Sequence, residues 1–262
     1  MNTENESKIN KLLRLQPAGV VLTSNWLHGQ GYSPGLLRTY RKSNWLQSIG
    51  RGAMKRVDAK VDYLGAVHAM QNQLNLSIHP AAKTALALLG KTHYLNMTKT
   101  EVCLFGVLSE RLPGWFKNYN WGFEIHYTSS GFLPAGMGMA KKEYDHFSIK
   151  ISSPARAMME CLYLAPQKQE LLECFELMQG LNNLNPARVQ ELLENCTSVK
   201  VKRLFLYMAN KARHDWAKHI HTDKIELGSG KRSLVADGAY VANYQITVPR
   251  ELEIWRQDLC GT

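Results

Sequence analysis

Cationic side chains punctuate one short stretch of this 262-residue chain: Arg38, Arg41 and Lys42, then Arg51, Lys55 and Arg56. A guanidinium presents a planar fork of donors that matches a phosphate or the acceptor edge of guanine, and an ammonium is a point charge suited to phosphate. The spacing of Arg38 from Arg41 and Lys42 puts them mostly on one side of a helix, with Leu36, Leu37 and Tyr40 turned inward. Arg51 stands between Gly50 and Gly52 at a turn, followed by Lys55 and Arg56. This is chemistry for gripping a polyanion. On duplex DNA, Ser33, Arg38, Tyr40, Arg41 and Lys42 would belong to a helix in the major groove. Arg51, Lys55 and Arg56 would belong to a wing on the minor groove or backbone.

Other reactive groupings are thinner. Leu227-Gly-Ser-Gly-Lys-Arg232 invites comparison with a phosphate loop, but Ile225 stands where that loop needs its first glycine and Arg232 where it needs Ser or Thr. A basic turn is the expectation. His214, His219 and His221 lie close in sequence without cysteines or carboxylates at ligand spacing, so no metal and no cofactor is expected. Glu124-Ile-His126 and Asp145-His146 offer acid–base pairs of a kind that arises by chance. Trp115, Trp121 and Phe123 read as core or an edge contact. No GxSxG, HExxH or GxGxxG occurs, and no nuclease-type carboxylate–lysine strand is evident, so the chain is not expected to be an enzyme. Cys103, Cys161, Cys174, Cys196 and Cys260 are scattered without a CxxC, which suits free thiols in a reducing cytoplasm.

The elements that must position these groups follow from periodicity and caps. Residues 8–15 place Ile9, Leu12 and Leu13 on one helical face, ended by Pro17 and Gly19. Val20, Val21 and Leu22 lead into a two-turn helix capped by Thr23 or Ser24 and broken at Gly29 and Gly31. Ser33 and Pro34 start a third helix, because proline lacks the N–H that the first turn leaves unpaired. An extended pair over 45–57 then turns at Gly50-Arg51-Gly52. Helix, short helix, basic helix and basic hairpin is the order of a winged helix-turn-helix. Helices over 62–74 and 79–89 follow, and the polar run Asn96–Thr100 marks a boundary. Beyond it, strands are expected at 102–108, 121–127, 147–151, 225–227, 233–235 and 244–248. Helices are expected at 153–164, 167–179, 186–195 and 198–220, the last carrying Lys200, Lys202, Arg203, Lys211 and Arg213. The fold class is therefore α+β: a winged helix-turn-helix with a helical extension over 1–98, then a mixed α/β domain over 99–262.

Composition agrees with this plan. Apolar residues at 45% and charged residues at 21% are ordinary for a globular chain. No run approaches the length needed to span a bilayer. The net charge of +10 is lopsided: residues 1–98 hold 12 Lys and Arg against 4 Asp and Glu, and the remainder 20 against 18. A basic first third on a near-neutral body suits a polyanion-binding module attached to something else.

Several stretches carry a resemblance: the helix-turn-helix, His79-Pro-Ala-Ala-Lys-Thr-Ala-Leu-Ala-Leu-Leu-Gly-Lys-Thr-His-Tyr94, Ile151-Ser-Ser-Pro-Ala-Arg-Ala157, Leu184-Asn-Pro186, Val199-Lys-Val-Lys-Arg-Leu-Phe-Leu206, Ile225-Glu-Leu-Gly-Ser-Gly-Lys-Arg232 and Tyr244-Gln-Ile-Thr-Val-Pro249. In succession they resemble the AbiEi family, antitoxins of type IV toxin–antitoxin and abortive-infection systems. Ala155 departs from the pattern, which often has Glu there. The resemblance implies a repressor of its own operon that binds inverted repeats in double-stranded DNA. It also implies a C-terminal domain that counters a nucleotidyltransferase-like AbiEii toxin without requiring a stable complex. Lys200, Lys202, Arg203, Lys211, Arg213, Lys231 and Arg232 are then the candidates for that domain's working surface. A ligand-responsive repressor without a toxin partner is the alternative.

Overall fold

The computed structural model describes residues 8–91 and 101–254. The segments Met1–Ser7 and Asn96–Thr100, and Cys260, lie outside the described residues.

The elements run in order α1 Lys8–Leu15, β1 Leu22–Thr23, α2 Ser24–Gly29, α3 Pro34–Lys42, β2 Leu46–Gly50, β3 Ala53–Arg56, α4 Tyr63–Asn72, β4 His79–Pro80 and α5 Ala82–Leu88. Next come β5 Glu101–Gly106, α6 Gly114–Asn118, β6 Glu124–Ser129, β7 Met139–Glu143, β8 Ser148–Ser152, α7 Pro154–Leu164, α8 Leu171–Gln179, α9 Pro186–Asn195 and α10 Val199–Lys211. Short strands β9 Arg232–Ser233, β10 Ala239–Val241 and β11 Ile246–Val248 and helix α11 Arg250–Ile254 complete the chain. Helices and strands mix throughout, so the fold is α+β as expected. Two compact units are present. One comprises the described parts of Met1–His79, Thr98–Ser129 and Lys141–Ile151, the other those of Pro80–Met97, Ser130–Ala140 and Ser152–Thr262.

In the first unit, Ser33 Oγ accepts the Leu36 N–H at 3.2 Å and Pro34 opens α3. The wing is antiparallel, pairing Leu46 with Arg56 and Gln47 with Lys55, and it turns at Arg51-Gly52, where Gly52 has φ +84°. Strand β1 adds to β3, giving the order β1-β3-β2 of a winged helix-turn-helix. Leu12, Leu22, Leu27, Tyr32, Leu37, Tyr40, Leu46 and Met54 form one buried cluster that joins α1, α2, α3 and the wing. Helix α4 locks the other edge. Its Gln73 accepts the Thr23 N–H at 2.8 Å and donates to Val21 O at 2.8 Å. At Gly65 a Cβ would lie 1.8 Å from Gly19 O, so only glycine fits.

The second unit is built around α7, where Ser153 Oγ caps the first turn. Arg156 and Glu160 are one turn apart and buried at 5% and 0% exposure. The Glu160 carboxylate accepts Arg156 Nε at 2.8 Å, the Ser152 hydroxyl at 2.7 Å and the Ala82 N–H at 3.0 Å. Arg156 also donates to Pro134 O at 2.9 Å and Met137 O at 2.6 Å. A charged pair this far from water is tolerable only because its lone pairs and protons are satisfied.

Several expected boundaries shift. The helix expected over 198–220 stops at Lys211, where Arg213 turns left-handed at φ +55°, and the chain continues as a 3-10 turn at Asp215–His219. Residues 225–227 are not a strand; the Leu227 carbonyl is taken by a buried arginine, as described below. Helix α5 begins at Ala82, and His79–Pro80 are a bridge strand instead. Replacing Glu160 with Ala leaves Arg156 buried and unpaired, and is expected to cost about 3–5 kcal/mol. Urea unfolding measures this; a loss under about 1 kcal/mol would contradict the role given to the pair.

Candidate nucleic-acid interface

From Lys8 to Val57 the chain contains Lys8, Lys11, Arg14, Arg38, Arg41, Lys42, Arg51, Lys55 and Arg56 and no Asp or Glu at all. No acid interrupts the run in sequence, so this stretch carries a net positive charge. Helix α3 decides the direction. Leu37 and Tyr40 are buried in the cluster beneath it, whereas Ser33, Arg38, Arg41 and Lys42 are exposed. Arg38 and Lys42 carry no hydrogen bond or ion pair to described residues, while Arg41 Nε makes a long 3.4 Å contact to Leu37 O in its own helix. Tyr40 turns inward as its spacing predicts, which corrects its place among the expected DNA-contacting residues. At 9% exposure it is part of the core that carries the helix, not a group on its outer face.

The wing cations differ among themselves. Arg51 is exposed at the tip without an acceptor among the described residues. Lys55 is half-buried, with Nζ 3.4 Å from Ala59 O. Arg56 is paired, its guanidinium meeting both Asp58 oxygens at 3.1 and 2.7 Å. The hydrogen bond from Arg56 holds the Asp58 carboxyl below its ordinary range. Asp58 therefore offsets one wing cation at neutral pH.

The basic positions of the second unit separate sharply. Arg203 is 2% exposed and Lys202 4% exposed, so neither belongs to a surface; α10 is buried nearly all round. Arg203 holds the glycine loop from beneath. It donates to Leu227 O at 2.8 Å, Gly228 O at 3.0 Å, Gly230 O at 2.7 Å and Gln245 O at 3.2 Å. Gly228 and Gly230 adopt φ +62° and +78°, which lets their carbonyls converge on one guanidinium. The loop is thus fixed by an internal arginine. Lys200 is half-buried and donates Nζ to Tyr163 O and Ala165 O, and burial pulls its pKa down. Lys211 is also half-buried, with Nζ 3.9 Å from a Glu253 oxygen. Arg213, Lys231 and Arg232 are exposed, with Lys231 lying 4.9 Å over the Tyr240 ring.

The histidines of the second unit do not converge. His214 is buried, its Nε2 2.7 Å from Met178 O, whereas His219 and His221 are exposed. Asp145 and His146 are exposed in the turn after β7. The groups that do approach one another among the described residues are Glu101, Glu124 and His126, exposed on paired strands, with ligand atoms within 4.8 Å. Cys103, Cys161, Cys174 and Cys196 are free thiols, and burial raises the pKa of Cys174 and Cys196. Sequence reasoning missed Glu160 and Asp58. The bidentate pairing of Asp58 two residues after Arg56 is the one with a local signal.

Comparison with known families settles the lineage. Residues 5–97 match the family described as "Transcriptional regulator, AbiEi antitoxin N-terminal domain". Residues 99–249 match "Transcriptional regulator, AbiEi antitoxin, Type IV TA system". The chain belongs to the AbiEi antitoxin family. The fold of this AbiEi protein is also similar to the crystal structure of the RV2827C protein from Mycobacterium tuberculosis, with a TM-score of 0.58 at 15% identity over 92% of this chain and 89% of that one. No curated protein matches the AbiEi chain described here. Among its described residues no helix is long and apolar enough to cross a membrane. Within this AbiEi protein, Arg203→Met is expected to free the glycine loop and to expose 228–230 to limited proteolysis, whereas Lys231→Ala leaves the cleavage pattern unchanged. Equal resistance in both variants would contradict the tethering role.

Proposed function

We propose that this protein is a non-enzymatic, DNA-binding antitoxin of the cytoplasm that represses its own operon and counters a nucleotidyltransferase-like AbiEii toxin. The observation that supports the DNA-binding half is the set of exposed cations that the α3 core turns outward, within a stretch that contains no acid. In this reading α3 enters the major groove with Ser33, Arg38, Arg41 and Lys42, and the wing brings Arg51 and Lys55 to the backbone or minor groove. Phosphate contacts supply affinity, and the arginines of α3 supply base readout. Inverted repeats would call for two copies of α3 about one helical turn, roughly 34 Å, apart.

We keep 1–98 and 99–262 as the two working domains; the family matches over 5–97 and 99–249 support that division, whereas compactness groups the chain differently. In this reading the toxin-directed surface uses the exposed cations Arg213, Lys231 and Arg232; Lys200 and Lys211 are half-buried. Family membership supports a toxin partner over the alternative of a repressor without one.

Arg38→Ala and Arg41→Ala are each expected to weaken operator binding by about 1–3 kcal/mol if they read bases. Gel-shift titration on the promoter fragment measures this, and unchanged affinity in both would remove the groove assignment. Asp58→Asn is expected to act oppositely: it frees Arg56, tightens binding and steepens the slope of log affinity on log salt by about 1. A shallower slope would contradict the wing reading. The Arg38→Ala, Arg41→Ala double variant, expressed full-length beside the toxin, is expected to lose repression and still prevent growth arrest. Loss of both would show the two roles to be inseparable.

A further inference from the structure

The first unit carries a cavity of about 230 Å³ that the DNA-binding reading does not use. Its walls are aromatic: Phe116 of α6, Tyr119 and Trp121 of the following turn, and Phe123 just before β6. The Phe116 and Trp121 rings lie 5.2 Å apart and the Tyr119 and Trp121 rings 4.6 Å apart. Trp121 donates its indole N–H to Phe116 O at 2.8 Å, so it meets the cavity as a ring and not as a donor. Phe123 packs edge-on against Tyr63 at 5.4 Å yet remains 38% exposed, an apolar surface the fold leaves open.

The polar side chains of the lining are Lys117, Asn120 and Tyr119, whose hydroxyl can both donate and accept. Lys117 is exposed and has no acceptor among the described residues. The Asn120 Oδ1 accepts the Gly122 N–H at 2.9 Å, which leaves the carboxamide N–H groups as its free polar atoms. No acidic side chain lines the cavity. The volume falls below the roughly 300–1,000 Å³ typical of drug-sized ligands, and it suits one or two rings. Planar apolar walls with an ammonium and an amide at the rim select a flat aromatic ring bearing an anionic group.

Helix α6 also touches the wing. Trp115, next to Phe116, sits so close to β2 that a Cβ on Gly50 would lie 2.9 Å from Trp115 Cβ and 3.0 Å from its Cα. A packing with no slack transmits a displacement of α6 to the strand it abuts. We infer that this cavity binds a small planar aromatic anion and that its occupancy is relayed through α6 to the wing. The relay, unlike the binding, rests on the operator reading above.

Equilibrium dialysis of the full-length protein against 2-naphthoate and indole-3-acetate tests the site without DNA, with 2-naphthamide as the uncharged counterpart. Saturable binding is expected below about 1 mM. Lys117→Ala is expected to weaken naphthoate about tenfold, the scale of one hydrogen bond to a charged group, and naphthamide far less. Phe123→Ala weakens both; each residue is exposed, and unchanged circular dichroism confirms folding. No saturable binding of either acid, or binding indifferent to both substitutions, overturns the site. Saturating naphthoate is then expected to change operator affinity in gel shifts by about fivefold or more. An unchanged operator Kd overturns the relay. Failure to bind operator both with and without naphthoate instead defeats the earlier reading and leaves the dialysis result standing.

Discussion

The packing of Leu37 and Tyr40 against Leu27, Leu46 and Met54 is the constraint from which the rest follows. A helix of nine residues has one face to bury, and burying each large apolar side chain contributes about 1.5–3 kcal/mol. Exposed like charges on a helix repel by only a few tenths of that. The core therefore dictates the rotation of α3, and Arg38, Arg41 and Lys42 are held outward together. The wing obeys the same core through Leu46 and Met54, which fixes where Arg51 stands relative to its strands.

Basic residues serve two opposite ends in this chain. Arg156 and Arg203 are enclosed and satisfied, one by a carboxylate and two carbonyls, the other by four carbonyls. They hold segments far apart in sequence: Arg156 ties the 134–137 turn to α7, where its partner Glu160 takes the Ala82 N–H, and Arg203 ties the glycine loop to α10. Arg38, Arg51 and Lys42 are left with water. The distinction is a matter of what surrounds each side chain, since an enclosed charge demands partners and an exposed one is available to a ligand.

Much of the first unit was legible because its signals are local. Ser33-Pro34 announces the start of α3, the Gly-Arg-Gly turn announces the wing, and apolar spacing gives the buried face. Ser153-Pro154 and Asn185-Pro186 announce α7 and α9 in the same way. The misreadings are non-local. Lys202 and Arg203 look like a charged helix face, yet both are buried, Arg203 by residues 24 to 42 positions downstream. The end of α10 has no glycine or proline to mark it, because Arg213 itself takes the left-handed turn. Glu160 is ordinary in sequence; its partners lie in Ser152, Arg156 and the distant Ala82. The aromatic group was read as core or edge, which suits Trp115 and Trp121, but nothing in the spacing reveals the opening beside Phe123.

The claim on which the account turns is that α3 lies in the major groove of promoter DNA. Dimethyl sulfate probing of the promoter with the full-length protein tests it directly, because the reagent marks guanine N7 in that groove. The account predicts protected guanines in two clusters about one helical turn apart, with protection at one position in each cluster lost when Arg38 is replaced by Ala. Full methylation of every guanine under a saturated complex would contradict it.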